Sequence, residues 1–312
     1  MIKFFKNIIA FSSVFAFGVV FLISVQSFIL SRGNNFKLPH GTDAVILGHS
    51  HASCAYNDTL IKGVVNLAEP MEGYYYSYFK LKQILRYNKL KFVFVEYANN
   101  QITKYADDRI FGEYIGNQFP KMLAFIEPRA LIKLGLKNPI GVAKNLPVAL
   151  QMNLEFMVEG SGDYVQAFWS NDHISDHVMQ DVQKKMKTVQ NDASKSGIIT
   201  NSYSVSEMNL FYLAQIANLC KKNGIQLYFL RAPVSKYEHL PMESTFQEIL
   251  NQEFPEVPFI DLKDFPVVDE DFADPQHMNI YGAKKVSVYL NELIEQAIRT
   301  HNLTIDEFLN HH

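Results

Sequence analysis

Cysteine is scarce: the 312-residue chain carries only two, Cys54 and Cys220. Two cysteines allow one internal disulfide at most, which argues against a disulfide-built scaffold and against paired-cysteine zinc motifs. Cys54 is expected in a helix just after a strand and Cys220 in a different helix, so both read as buried thiols. Charge of one sign is also lacking. With 29 Lys and Arg against 32 Asp and Glu, the net charge of −3 offers no basic excess for nucleic acid. No Gly/Pro/Ser-rich run and no internal repeat is found, which argues against disordered arrays and solenoids. No H-E-x-x-H pattern supports a helical zinc site.

The longest stretch without charge lies near the start. From Ile8 to Leu30 no residue is charged, and Ile, Phe, Val, Ala and Leu dominate. At about 1.5 Å per helical residue, this length crosses a bilayer core. A cleavable signal has a shorter apolar region ending in a small-x-small site, for which Ser27-Phe28-Ile29 is poor. Residues 1–30 are therefore expected to form an uncleaved anchor, with a buried core helix as the alternative. Lys3 and Lys6 precede the span, while Arg32 and Lys37 follow it and nearly balance them. The short basic tail is read as cytoplasmic, giving a single-pass membrane protein whose bulk is extracytoplasmic, periplasmic or at the cell surface. Residues 31–42, with Gly33, Asn34, Asn35 and Pro39, read as a linker. The folded domain is expected over 43–312.

Asp43 to His51 organises that domain. Ala44 to Leu47 is short and continuously apolar, as for a parallel strand covered on both faces. Gly48 permits a tight turn, and His49, Ser50 and His51 follow. Val64 to Leu67, Phe92 to Tyr97, Gln226 to Leu230 and Phe259 to Asp261 read as four further strands. Between them, Tyr74 to Arg86 has helical spacing, Ser204 to Glu207 forms a capping box before a helix ended by Gly224, and a last helix runs from about Gly282, burying Val286, Leu290, Leu293, Ile294 and Ala297. The alternation predicts an α/β fold: a doubly wound, flavodoxin-like parallel sheet of five strands with helices on both faces. Between about 105 and 201 it lapses into amphipathic helical sequence broken by Pro120, Pro128, Pro139 and Pro147. This is expected to be an insertion packed on the active end of the sheet. Its Phe, Met and Trp169 side chains would serve a lid, a membrane-facing collar, an acyl-binding wall or simply added core.

In open α/β sheets ligands bind beyond the carboxyl ends of strands. Ser50 falls at such an end, and near the other end of the chain lies Asp274-Pro275-Gln276-His277. An early serine and a late Asp-x-x-His are the parts of a Ser-His-Asp site, with Ser50 as nucleophile, His277 as base and Asp274 as its orienter. The alternative is that Ser50 and Asp274 only cap helices. His49, His51, Asp274 and His277 could instead ligate zinc, although His49 and His51 read better as hydrogen-bonded supports of the site. Arg231 would hold an anionic or sugar substituent, or pair with Glu96 or another carboxylate. Tyr74, Tyr75 and Tyr76 suggest either a carbohydrate platform or ordinary helix packing.

These residues carry a resemblance. Gly48-His49-Ser50 after the first strand and Asp274-x-x-His277 near the end resemble the SGNH (GDSL-type) hydrolase superfamily, and within it membrane-anchored bacterial relatives of polysaccharide O-acyltransferases and esterases. The departure is His49, where the commoner pattern has Asp. The resemblance implies an acyl-Ser50 intermediate and an oxyanion hole built from the Ser50 N–H, an asparagine after the third strand (Asn99 or Asn100) and a glycine after the second, for which Gly73 is nearest. It implies no cofactor, an acyl (acetyl) ester of a cell-surface polysaccharide as substrate, and a membrane acyl donor protein as a partner. Two other functions stay open: a non-catalytic envelope scaffold, and a metal-dependent hydrolase using the histidine cluster.

Overall fold

The computed structural model describes residues 1–33, 35–159, 164, 204–236, 238 and 240–300, without the side chains of 297–300. Trp169, Ala297 and the second half of the expected insertion lie outside the described residues. Helix α1 (Ile2–Leu30) opens the chain, followed by β1 (Ala44–Leu47), α2 (Ser50–Ala55), β2 (Val64–Asn66), α3 (Tyr74–Tyr87) and β3 (Phe92–Glu96). Four helices come next: α4 (Asp108–Phe111), α5 (Phe119–Met122), α6 (Pro128–Lys137) and α7 (Pro139–Glu159). The remainder alternates again through α8 (Glu207–Lys222), β4 (Gln226–Arg231), α9 (Glu243–Glu253), β5 (Phe259–Asp261) and α10 (Ile280–Thr300).

The five strands form one parallel sheet in the order β2-β1-β3-β4-β5. Ala44 pairs with both Val64 and Phe92, Phe92 with Gln226, and Phe229 with Phe259. Alternate side chains point to opposite faces of a strand, and both faces are filled. Val45, Leu47, Val93, Val95 and Phe229 join the core under α3, α8 and α9. Ala44, Ile46, Phe94, Leu230 and Ile260 join the second core, under α10. This double burial explains why β1 reads as an unbroken apolar run rather than an alternating one. In this order β1 lies between β2 and β3, so the crevice at their carboxyl ends is the topological switch point.

The excursion after β3 is closed at its neck. Thr103 bridges Val205 in antiparallel fashion, Lys104 N–H donates to Ser204 O at 2.8 Å, and Ser206 N–H donates to Ile102 O at 2.7 Å. Helices α5 and α7 pack on α3 and on the end of α1, and at α5 Gln118 and Lys121 also reach Pro70 and Glu69 in the loop after β2. Pro120, Pro128 and Pro139 open helices, which suits their missing N–H. Pro147 is inside α7 and does not end it; burial of Ala149 and Asn153 beyond it offsets the lost hydrogen bond.

Helix α1 is long and apolar enough to cross a membrane, and its side chains up to Leu22 are mostly exposed. One side of its last turns is buried. Gln26 is buried and its Nε2 donates to Leu150 O at 2.8 Å, while Leu30 enters the main core. The following segment is also tied down: Leu38 N–H donates to Asn88 Oδ1 at 2.9 Å, Asn88 Nδ2 donates to Phe36 O at 2.7 Å, and the Phe36 ring packs edge-on against Phe125.

Candidate active site

The site begins where β1 and β3 come closest. A Cβ at position 48 would lie 2.5 Å from both Cβ and Oε2 of Glu96, so only glycine lets the two strand ends approach this far. His49 then adopts an extended backbone and caps α2, its Nδ1 accepting from the His51 N–H at 3.1 Å. Ser50 is consequently the first residue of α2 rather than its cap. Asn279, not Asp274, receives the first N–H groups of α10, from Tyr281 and Gly282. Neither Ser50 nor Asp274 has the helix-capping role considered from the sequence.

The segment before α10 turns back on itself, with Ala273 N–H donating to His277 O at 2.8 Å. Asp274 Oδ1 accepts from the N–H of Gln276 at 2.8 Å and of His277 at 2.9 Å, an Asx turn. The turn directs the imidazole across the crevice. His277 Nδ1 lies 2.8 Å from Asp274 Oδ2, and Nε2 lies 2.8 Å from Ser50 Oγ. A carboxylate on Nδ1 keeps the proton there and leaves the Nε2 lone pair facing the hydroxyl. Burial raises the Asp274 carboxyl, but hydrogen bonding from the His277 ring and its charge outweigh that and hold it below the ordinary range. The carboxyl is therefore an anion at neutral pH. A serine hydroxyl donating to an imidazole oriented in this way is competent for nucleophilic attack on a carbonyl.

Hydrogen-bond logic assigns the next residues. A backbone N–H can only donate, so His49 Nδ1 is an acceptor and the neutral ring carries its proton on Nε2. That proton faces Asn100 Oδ1 at 2.9 Å. Burial, then the neighbouring His51 and Arg109, push the His49 pKa well down, which keeps the ring neutral. With Oδ1 taken by His49, the two Nδ2 protons of Asn100 are unclaimed by any described residue. The Ser50 N–H, in the first turn of α2, has no helical acceptor either.

Asn99, the other asparagine expected at the oxyanion, is engaged elsewhere. Asn99 Nδ2 donates to Pro241 O at 3.1 Å and Glu243 Oε2 at 2.7 Å, and its Oδ1 accepts from Arg231 Nη1 at 3.1 Å. Gly73 starts α3 against Asn209 and Ile110. The turn before it is held by a buried lysine: Lys80 Nζ donates to Leu67 O at 2.9 Å and Glu69 Oε1 at 2.8 Å, and pairs with Glu72. Arg231 is buried and paired with Glu243 at 2.8 Å and with Asp261, not with Glu96. Its guanidinium also lies 4.5 Å over the Phe246 ring. Tyr74, Tyr75 and Tyr76 are all buried, so they form core and not an exposed platform. Cys54 and Cys220 are buried and form no disulfide, and burial pushes the Cys54 thiol up to about 11.

Two residues were overlooked in the sequence. Glu96 ends β3 fully buried; its Oε2 accepts from the His49 N–H at 2.7 Å while Oε1 has no hydrogen-bond partner among the described residues. Burial pushes its carboxyl up to about 7, against the pull of the His49 and Ala52 N–H groups. Arg109, from α4, is buried with Nη1 donating to Gln101 Oε1 at 3.2 Å. An acid as the last residue of an otherwise apolar strand was the available signal for Glu96; nothing local marks Arg109.

His49, His51 and Glu96 bring ligand-type atoms within 4.8 Å of one another. The set does not fit a metal, because both His49 nitrogens are engaged, Nδ1 with the His51 N–H and Nε2 with Asn100. His277 is likewise engaged at both nitrogens. Burial and the adjacent His277 push His51 down to about 3, so it packs as a neutral ring, 5.4 Å from the His277 ring. Beside it is a cavity of about 20 Å³ whose lining includes His51, Glu96, Asn100, Ala232, Val234 and Leu240. A water or a group of methyl size fits there.

Comparison with other proteins adds little to this geometry. A protein-family model matches residues 177–299, and its description names no activity. No curated protein matches. Among solved structures the chain is similar to an inferred acylhydrolase from Bacteroides fragilis, at 10% identity and a TM-score of 0.40, over 86% of this chain and 93% of that one.

Proposed function

We propose that this protein is a membrane-anchored serine esterase or O-acyltransferase of the SGNH type, acting on acyl esters of a cell-surface polysaccharide. The observation that carries the reading is the Ser50 Oγ to His277 Nε2 contact of 2.8 Å, with Asp274 on the other ring nitrogen. Ser50 Oγ attacks the ester carbonyl while its proton passes to His277 Nε2, and Asp274 stabilises the imidazolium. The Ser50 N–H and Asn100 Nδ2 donate to the oxyanion. Collapse expels the alcohol, which takes the proton from His277 and leaves an acyl-serine. Water or a sugar hydroxyl, deprotonated by His277, then releases the acyl group. Burial of Gln26 and Leu30 in the domain supports retention of α1 as an anchor, and Lys3 and Lys6 before it support a cytoplasmic N-terminus with the domain outside.

A second reading, an envelope scaffold on the same fold, is favoured by one observation: the Asn99 amide is committed to Pro241, Glu243 and Arg231 and is lost to the hole as a donor. Mass spectrometry of envelope polysaccharide from cells carrying wild type or Ser50→Ala separates these cases. Fewer O-acyl groups in the variant means transfer and more means hydrolysis. No change would contradict glycan ester chemistry and leave the scaffold.

A further inference from the structure

Helices α6 and α7 expose apolar side chains that a folded domain ordinarily buries. Ile132, Leu136, Ile140 and Val148 are 63%, 79%, 69% and 50% exposed. Along the same surface run Arg129, Lys133, Lys137 and Lys144, and from Pro128 to Leu154 the sequence contains no Asp or Glu. Exposed positions recur every three or four residues within each helix, at 129, 132, 133, 136 and 137 of α6 and at 140, 143, 144, 147 and 148 of α7, and the two helices adjoin at Asn138. The opposite side, at Ala130, Leu134, Ala149 and Asn153, is buried in the domain.

The position of this face is set by α1. Asn153 Nδ2 reaches Gln26 Oε1 at 3.4 Å, Gln26 Nε2 donates to Leu150 O, and Ser27 Oγ donates to Ala124 O. Nineteen residues separate Lys6 from Gln26, which as helix is about 28 Å, close to the thickness of a bilayer core. Gln26 therefore sits at the level where α1 leaves the hydrocarbon, and α7 is bound to it there. Long basic side chains flanking apolar ones suit that depth, with the stems buried and the charges at the headgroups.

We infer that α6 and the first half of α7 form a basic amphipathic surface resting on the anionic lipid headgroups of the bilayer that α1 crosses. The inference rests on the reading of α1 as a retained span. Contact at two places, a transmembrane helix and a basic face, holds the domain at a fixed tilt, which a single flexible tether does not. Anionic lipid supplies the charge that the acid-free face lacks.

The test uses full-length protein in phosphatidylglycerol/phosphatidylcholine vesicles, with an environment-sensitive fluorophore on single cysteines introduced as Leu136→Cys, Ile140→Cys, Phe15→Cys or Lys284→Cys. Both native cysteines are buried, and Lys284 is exposed on α10. Shallow doxyl-labelled lipid should quench positions 136 and 140, deep doxyl-labelled lipid should quench position 15, and neither should quench position 284. Quenching at 136 and 140 should weaken in pure phosphatidylcholine. Quenching at 15 without quenching at 136 and 140 would overturn the inference while leaving the anchor intact. No quenching at 15 would remove the anchor and the inference together. Equal quenching at 136 in both lipid mixtures would overturn the assignment to anionic headgroups.

Discussion

His49 orients the Asn100 amide besides capping α2, and the coupling of His49 to Asn100 can be measured. The His49 ring donates to Asn100 Oδ1 at 2.9 Å and touches no substrate position in the proposed mechanism. Removing an oxyanion donor outright costs about 10²- to 10³-fold in kcat, so Asn100→Ala should fall in that range. Removing only the hydrogen bond that orients the donor forfeits about 1 kcal/mol, so His49→Ala should lose roughly five- to tenfold in kcat with little change in KM. Because both changes act on one donor, the double variant should be no slower than Asn100→Ala alone. Hydrolysis of p-nitrophenyl acetate by the four full-length proteins in detergent supplies the cycle, with circular dichroism as the check on folding. Multiplying losses would refute the reasoning, since they would mean that His49 contributes by a route of its own.

Two further outcomes follow from buried charge. The Glu96 carboxyl ionises near 7 in the folded protein and near the ordinary 4.5 when unfolded. Between those values the folded state binds more protons, so this group lowers stability as pH rises, by about 3 kcal/mol over the window. Glu96→Gln cannot ionise, and its melting temperature should gain on wild type between pH 5 and pH 8; a gap that stays constant would contradict this. Arg231 holds Glu243 and Asp261 from a position 2% exposed, so Arg231→Ala should destabilise by about 3 kcal/mol in urea unfolding, because it strands partly buried carboxylates. An unchanged stability with a raised KM would instead make Arg231 a substrate ligand.

Much of the fold was legible because each strand is an apolar run ended by a turn signal. The third strand was expected over 92–97 and spans Phe92–Glu96; the fifth was expected over Phe259 to Asp261 and spans those residues. A five-stranded doubly wound sheet then carries the residue after β1 to the switch point. The finer site was not legible. Asn99 and Asn100 are adjacent and chemically equal, and a 3₁₀ turn over Asn99–Gln101 sends one toward Arg231 and the other toward His49. Local pattern carries no information on that rotation. Similarly, Glu69 and Glu72 before Gly73 find their partner only when Lys80 reaches them from the next helix. The direction in which the insertion packs depends on α1, which lies roughly a hundred residues earlier in the chain.

The central claim is that Ser50 is a nucleophile activated by His277 and Asp274. Its most direct test is covalent labelling of the full-length protein in detergent with a fluorophosphonate probe, which reacts with a serine only when its hydroxyl is deprotonated during attack. Wild type should label, Ser50→Ala should not, His277→Ala should label far more slowly, and peptide mapping should place the adduct on Ser50. Equal labelling of wild type and Ser50→Ala, or an absence of labelling in a folded wild type, would contradict the account.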